Sequence, residues 1–220
     1  MAFTYLLVAL SLLSLAAAKS PGFGGWKSGR ATFYGVDAWS IHKGSCGYGW
    51  LDKTIATGWD VGAISDKAGD YAGSCGKCKE VKCKPMNFAD GYGQWLDRTS
   101  VCYNTYSSVV IMVTDTCPCV YPDNYASNKR WCCGDMYHLD LSVWAYEKLA
   151  GKQWGVIGVA WRDVPCWYRP KNRARTPWWT RATPRPWWEK APRGWAKTMD
   201  RRLMGSAGAR FQSGWGWGKK

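Results

Sequence analysis

The chain has 220 residues, room for one ordinary domain with a remainder or for two small ones. Its formal net charge of +14 is unevenly spread, because residues 167–220 hold 9 Arg and 5 Lys against Glu189 and Asp200, a net of +12, which leaves +2 for the first 166. The basicity therefore belongs to the tail, and beyond the first residues no apolar run is long enough to cross a bilayer.

Residues 1–18 contain the apolar run Leu6 to Leu15, closed by Ala16-Ala17-Ala18. That pattern suits a signal-peptidase site and is short for a membrane span, so a cleaved secretory signal is expected. A short N-terminal anchor is the alternative, since no Lys or Arg precedes the run. Secretion argues against nucleic acid as a partner. Ten cysteines follow, at 46, 75, 78, 83, 102, 117, 119, 132, 133 and 166, and their even number allows up to five disulfides without fixing the pairing. Cys75 and Cys78 with Cys83, or Cys117 and Cys119 with Cys132 and Cys133, offer the thiolates of a structural zinc site. An oxidising route favours disulfides instead, and neither metal nor cofactor is expected.

From Pro21 to Cys166 short β-branched and aromatic segments alternate with glycine-rich turns. Strands are expected at 31–34, 53–57, 61–65, 81–83, 107–113 and 156–161. One helix is expected over 142–150, with Ser142 as N-cap, Gly151 past its end, and Val143, Tyr146 and Ala150 on one face. Three acids fall where such elements end: Asp37 after Arg30-Ala31-Thr32-Phe33-Tyr34-Gly35, Asp115 at the close of the apolar run 109–113, and Asp140 just before the helix. Such ends are where sites are commonly built. After Cys166 the pattern changes to Pro/Trp/Arg clusters with eight tryptophans and little aliphatic material, so mostly disorder is expected from 167 to 220.

The residues of the middle section, taken in order, resemble a known family. The motifs are Arg30-Ala31-Thr32-Phe33-Tyr34-Gly35, Gly44-Ser45-Cys46-Gly47-Tyr48-Gly49, Ser74-Cys75-Gly76-Lys77-Cys78 with Cys83, Val113-Thr114-Asp115-Thr116-Cys117-Pro118, His138-Leu139-Asp140-Leu141-Ser142, and Val159 to Cys166. Together they resemble the N-terminal domain of the expansins, which is similar to the family 45 endoglucanases. The resemblance implies a mainly β fold: a six-stranded double-psi β-barrel with one or two short helices, at residues 19–166, carrying an open groove for a polysaccharide. It also implies the disulfides Cys46–Cys75, Cys78–Cys166 and Cys83–Cys102, with Cys117, Cys119, Cys132 and Cys133 unassigned.

By the same resemblance Thr32, Tyr34, Asp37, Tyr48, Asp115, His138 and Asp140 would bind the glycan, and the protein would be a secreted, monomeric, wall-loosening protein acting on cellulose, xyloglucan or xylan without hydrolysis. Inverting hydrolysis needs an acid and a base whose carboxyls lie roughly 6.5–9.5 Å apart. Asp140 is the candidate acid, with Asp115 and Asp37 as candidate partners. The family's base would fall at Val36, one residue before Asp37, and along a strand one residue reverses the face. A family 45-like endoglucanase is therefore the alternative, and a barwin-like defence or signalling protein a second. Each residue also has a structural reading: Asp140 near a helix start, Asp115 in a turn, His138, Thr32 and Tyr34 in packing, and Trp39, Trp50 and Trp59 in the core rather than on sugar. The second domain of an expansin is not recognisable in residues 167–220. Their cations and tryptophans would suit acidic pectins, or they are simply a linker.

Overall fold

Alternation explains which residues of this chain turn inward. Ala31, Leu139 and Leu141 pack with Val81, Val109, Ile111, Ile157, Val159 and Trp161 in one buried cluster, and these residues come from strands far apart in sequence. The computed structural model describes residues 23–51, 55–180 and 182–184. Its strands are β1 (Lys27–Tyr34), β2 (Val61–Ser65), β3 (Cys78–Cys83), β4 (Met86–Ala89), β5 (Trp95–Arg98), β6 (Val109–Cys117), β7 (His138–Ser142) and β8 (Ile157–Val164). Six of them close a barrel in the order β1-β7-β2-β6-β3-β8, while β4 and β5 form a separate hairpin. The pairs β1–β7 and β2–β6 are parallel and the other barrel pairs antiparallel.

Where the observed elements depart from the expected ones, tertiary contacts decide. Residues 55–57 turn instead of continuing a strand, and 52–54 lie outside the described residues. The run expected from 107 starts at Val109 and continues to Cys117. The expected helix reduces to one turn, α2 (Val143–Tyr146), although the Ser142 hydroxyl caps it by accepting from the Ala145 N–H. Past Tyr146 the bonds turn irregular, with Lys148 N–H to Ala145 O and Leu149 N–H to Tyr146 O spanning three residues and Ala150 N–H to Tyr146 O spanning four, and Ala150 is drawn into a bridge with Cys102. Because Cys83 holds Cys102, the helix cannot run on. A second helix, α1 (Tyr125–Trp131), has no apolar stripe to announce it, and only Asn128 of it is buried.

Five disulfides tie the frame: Cys46–Cys75, Cys78–Cys166, Cys83–Cys102, Cys117–Cys132 and Cys119–Cys133. Arg30 adds an ionic tie. Fully buried on β1, it pairs with Asp135 at 2.7 Å and donates to the carbonyls of Ala89, Arg130 and Trp131, so one guanidinium joins three distant segments. Such burial is tolerable because both terminal nitrogens find partners, one of them a carboxylate.

The ordered domain runs past Cys166. The sequence pattern predicts disorder from residue 167, but residues 167–180 and 182–184 lie along the barrel as a strap. Ser108 exchanges backbone bonds with Asn172 and Ala174, Ala174 enters the main core, and Thr183 is buried. Thr183 donates through N–H and hydroxyl to Glu147, while its carbonyl accepts from the Trp144 indole. Composition hides this because the strap is held by polar bonds, Ala174 and the ring of Tyr168 rather than by an apolar stripe. The rest of the expected tail, and the expected signal at residues 1–18, lie outside the described residues.

Candidate functional site

Residues paired across neighbouring strands point to the same face, and four such residues make one row on the outside of the barrel. Thr32 of β1 pairs with Asp140 of β7, Asp140 with Ala63 of β2, and Ala63 with Asp115 of β6. Leu139 and Leu141, on either side of Asp140, are fully buried in the main core, which leaves Asp140 on the opposite face. With strands about 4.8 Å apart, the backbones of Asp140 and Asp115 are roughly 10 Å apart. Ala63 lies between them, buried against Cys117, Cys132 and Trp131.

A β-bulge makes this row possible. Gly62 pairs with Val113, yet Ala63 pairs with Asp115, so Thr114 is the extra residue. Regular alternation would place Asp115 on the same side as Val113, which is fully buried; the bulge moves Asp115 outward beside Asp140. The bulge is gripped by the loop 44–47. Cys46 N–H donates to Thr114 O, and a Cβ at Gly44 would collide with that carbonyl, so the two backbones approach too closely for any side chain. The same loop sends Ser45 N–H to Asp115 Oδ1 at 2.8 Å, and Thr116 N–H adds another bond of 2.8 Å. Burial nevertheless pushes the Asp115 carboxyl upward against these donors, with the Asp140 carboxylate adding to the rise. Thr116 in turn is bonded by Ser45 and by the exposed Tyr71.

Around Asp140 the polar contacts are close. The Thr32 hydroxyl donates to Asp140 Oδ1 and lies 3.0 Å from His138 Nε2, which is itself 3.3 Å from Asp140 Oδ1. His138 is fully buried beneath the near-parallel ring of Trp131, whereas the Asp140 side chain keeps 23% exposure. Tyr34, two residues beyond Thr32, has a buried hydroxyl. Burial, then the Asp115 carboxylate, and more weakly Asp140, push its phenol upward, so it remains a proton donor. Thus Thr32, Tyr34, Asp115, His138 and Asp140 converge on one place.

Asp37 and Tyr48 sit elsewhere. Asp37 Oδ1 accepts from Trp39 N–H, Ser40 N–H and the Ser40 hydroxyl, and so starts the 3-10 turn Ser40–Lys43. Tyr48 is exposed, with its hydroxyl against Gly76 beside the Cys46–Cys75 disulfide. Among the described residues no hydrogen bond joins either one to Asp115 or Asp140. Trp59 is core, edge-on to Trp144, while the half-buried Trp39 and Trp50 pack together and Trp50 stacks on His42 at 4.1 Å. Cys117 and Cys132 offer sulfurs within 4.8 Å of the His138 and Asp140 ligand atoms. They are bonded to each other, and a disulfide has no thiolate to give a metal. The sequence pattern does not single out Ala63, Thr116, Tyr71 or Trp131 as members of the site. Thr116 adjoins a candidate acid and could have been found by that alone; Tyr71 carries no signal.

The family model described as lytic transglycolase matches residues 63–161. Expansin-A24 of Arabidopsis thaliana is 35% identical over 143 residues, 64% of this chain and 40% of that protein. Expansin-A25 of Oryza sativa subsp. japonica is 32% identical over 169 residues, 74% of this chain and 60% of that protein. The chain spans about half the length of the curated relatives it matches. Among solved structures, a Clavibacter michiganensis expansin matches at 21% identity and TM-score 0.40, covering 64% of this chain and 51% of that one. The GH45 endoglucanase EG27II matches at 23% and 0.41, covering 66% and 83%. At that distance neither structure transfers a residue's role. Among the described residues no helix is long and apolar enough to cross a membrane.

Proposed function

We propose, from its likeness to the expansins, that this protein is an expansin-like protein secreted to the cell wall, that it binds a neutral β-glucan chain across the row Thr32–Asp140–Ala63–Asp115, and that it loosens the packing of that chain without cutting it. The observation that carries the reading is the state of the third acid. Asp37, the residue nearest the family's base position, gives its carboxylate oxygen to three donors of its own loop and starts a turn. A carboxylate so engaged is poorly placed to activate a water near Asp140. Asp140 and Thr32, both part-exposed, are suited to exchange hydrogen bonds with sugar hydroxyls, while the Tyr34 hydroxyl is buried and Ala63 is packed with the Cys117–Cys132 disulfide. Cellulose, xyloglucan and xylan all present such hydroxyls, and none requires a metal.

A second reading has one observation in its favour. Asp115 and Asp140 share a row, and burial makes Asp115 hold its proton more tightly than an ordinary carboxyl does. An inverting endoglucanase on this frame would then use Asp115 as acid and Asp140 as base, two strands apart, the reverse of the expected roles in which Asp140 is the acid. The deciding experiment assays residues 19–220, made through an oxidising secretory route, for reducing ends on soluble and amorphous β-glucans, with Asp140→Asn and Asp115→Asn alongside. Wall loosening predicts no release, together with creep of a heat-killed wall strip under load in acid buffer. Sustained release that disappears in both variants would make the protein an endoglucanase.

A further inference from the structure

Away from the row, the strap and the barrel enclose a cleft of about 290 Å³. Tyr168, Arg169 and Arg173 of the strap form one wall, and Thr57, Asp60 and Lys148 belong to the barrel side. Three cations meet one carboxylate here. Lys148 and Asp60 satisfy each other, with Lys148 Nζ on both carboxylate oxygens, so the uncompensated charges are Arg169 and Arg173. Arg169 uses one nitrogen on the carbonyls of Cys166 and Tyr168, and no ion pair engages either guanidinium among the described residues. Thr57 also lines the cleft, with its hydroxyl buried and without a hydrogen-bond partner among the described residues.

The backbone that carries the two arginines is held from both sides. Upstream, the Cys78–Cys166 disulfide fixes the start of the strap, and Tyr168 packs edge-on to Phe23 while its hydroxyl accepts from Arg162 at 3.1 Å. Downstream, Arg173 lies within the bridge to Ser108, flanked by backbone bonds from Ser108 N–H to Asn172 O and from Ala174 N–H to Ser108 O. A cleft walled by a pinned strap needs little ordering when a ligand enters. Guanidinium groups bind planar carboxylates with paired hydrogen bonds, and Arg169 and Arg173 are both exposed at the cleft, where a carboxylate can reach them.

We propose that this cleft is a binding site for a carboxylated sugar, a uronate unit of an acidic polysaccharide, which Arg169 and Arg173 hold by its carboxylate. The site would give the protein a second hold on a mixed wall, separate from the neutral glucan on the row. It rests on the wall-acting reading only for the origin of the polymer. The chemistry of the cleft stands without it.

The test uses the full secreted chain and a short probe, trigalacturonate, so that avidity does not mask the single site. The double substitution Arg169→Gln/Arg173→Gln is expected to weaken trigalacturonate about tenfold, since charge-assisted bonds are lost, and to leave the affinity for a neutral cello-oligosaccharide unchanged. Asp140→Asn should do the reverse. Equal affinity of the double variant and the parent for trigalacturonate would overturn the proposal. So would tighter binding of tripolyphosphate than of trigalacturonate, which marks a general anion patch, or a loss confined to anionic phospholipid vesicles. If the parent binds no neutral glucan while the trigalacturonate result holds, the row reading falls and this one stands.

Discussion

Asp115 and Asp140 flank the single residue Ala63, each as its direct neighbour on an adjacent strand, although they are 25 positions apart in the chain. One of the two has its Oδ1 held by backbone N–H groups and the other by a threonine hydroxyl. Two acids this close in the fold but so differently held should answer differently to substitution and to pH.

Removing the Thr32 hydroxyl tests how Asp140 is held. Thr32→Val keeps the shape and deletes the bond to Asp140, which should cost about 0.5–1.5 kcal/mol of stability in a denaturant titration. Affinity for a neutral cello-oligosaccharide should fall roughly three- to tenfold, because Asp140 is then free to leave the position from which it meets the sugar. Unchanged affinity would remove Thr32–Asp140 from the glycan site.

The upward shift of Asp115 has a definite sign in stability. Its proton is held more tightly in the folded than in the unfolded chain, so its contribution is present below the ordinary carboxylate range and is lost as pH rises through the raised folded value. Asp115→Asn has no such contribution to lose. The stability of the variant relative to the parent should therefore improve between about pH 3 and about pH 7, as read from denaturant midpoints. A difference that does not change with pH would contradict the buried setting of this carboxyl.

His42 should act in the opposite direction. It is buried, stacks on Trp50 and uses Nδ1 to accept from Leu51 N–H. Burial lowers its pKa to about 4, with Asp37 opposing. The unfolded chain then binds the proton first, and stability should decline as pH falls from about 6.5 to about 4, by about 3 kcal/mol in all. An asparagine side chain offers Leu51 an acceptor without a titrating ring, so His42→Asn should flatten this part of the stability profile even if it lowers the whole curve. Persistence of the slope would assign it to other groups.

Gly44→Ala probes the grip on the bulge. The new methyl would run into the Thr114 carbonyl, and that is backbone, so the loop must move. A cost of about 1–3 kcal/mol is expected, as for other overpacked sites. Amide exchange should quicken at Ser45 and Cys46, whose N–H groups bond Asp115 and Thr114. Protection equal to the parent would mean that the loop absorbs the methyl elsewhere.

Thr183→Val tests the strap. The threonine hydroxyl donates to Glu147 and accepts from Lys152 in a buried setting, and a valine methyl can do neither. A loss of about 1–3 kcal/mol is expected, with faster exchange at Ala174, whose N–H pins the strap to Ser108. Stability within about 0.5 kcal/mol of the parent would show that the clamp is incidental.

Where the signal is local, local chemistry is a sound guide. Val61–Ser65 is bounded as its β-branched and glycine pattern suggests, and the Ser142 cap lies where the helix begins. The stretch His138–Ser142 reads as an approach to that helix, yet it is a strand, and Leu139 and Leu141 do alternate with polar residues at a strand's period. The hairpin of β4 and β5 turns through Asp90-Gly91-Tyr92-Gly93-Gln94 between Phe88-Ala89 and Trp95-Leu96, a turn with apolar flanks that the expected strands pass over. Three features cannot be read at all: Arg30 buried against a carboxylate 105 residues away, Ala63 as the floor of the site, and the slip at Thr114. Each depends on strand neighbours that the chain order does not reveal, since β2 meets β6 and β7 rather than β1 or β3.

The bulge at Thr114 gives β6 a spare residue. Deleting it would leave Val113 opposite Gly62 and Asp115 opposite Ala63 in regular register, so both acids would keep their places, and what would go is the Thr114 carbonyl that Cys46 N–H holds. Closing the bulge without a deletion is different: Thr114 would stand against Ala63 and Asp115 would turn to the buried face. The loop 44–47, by gripping the bulge, is thus what keeps two carboxylates rather than one on the outer face.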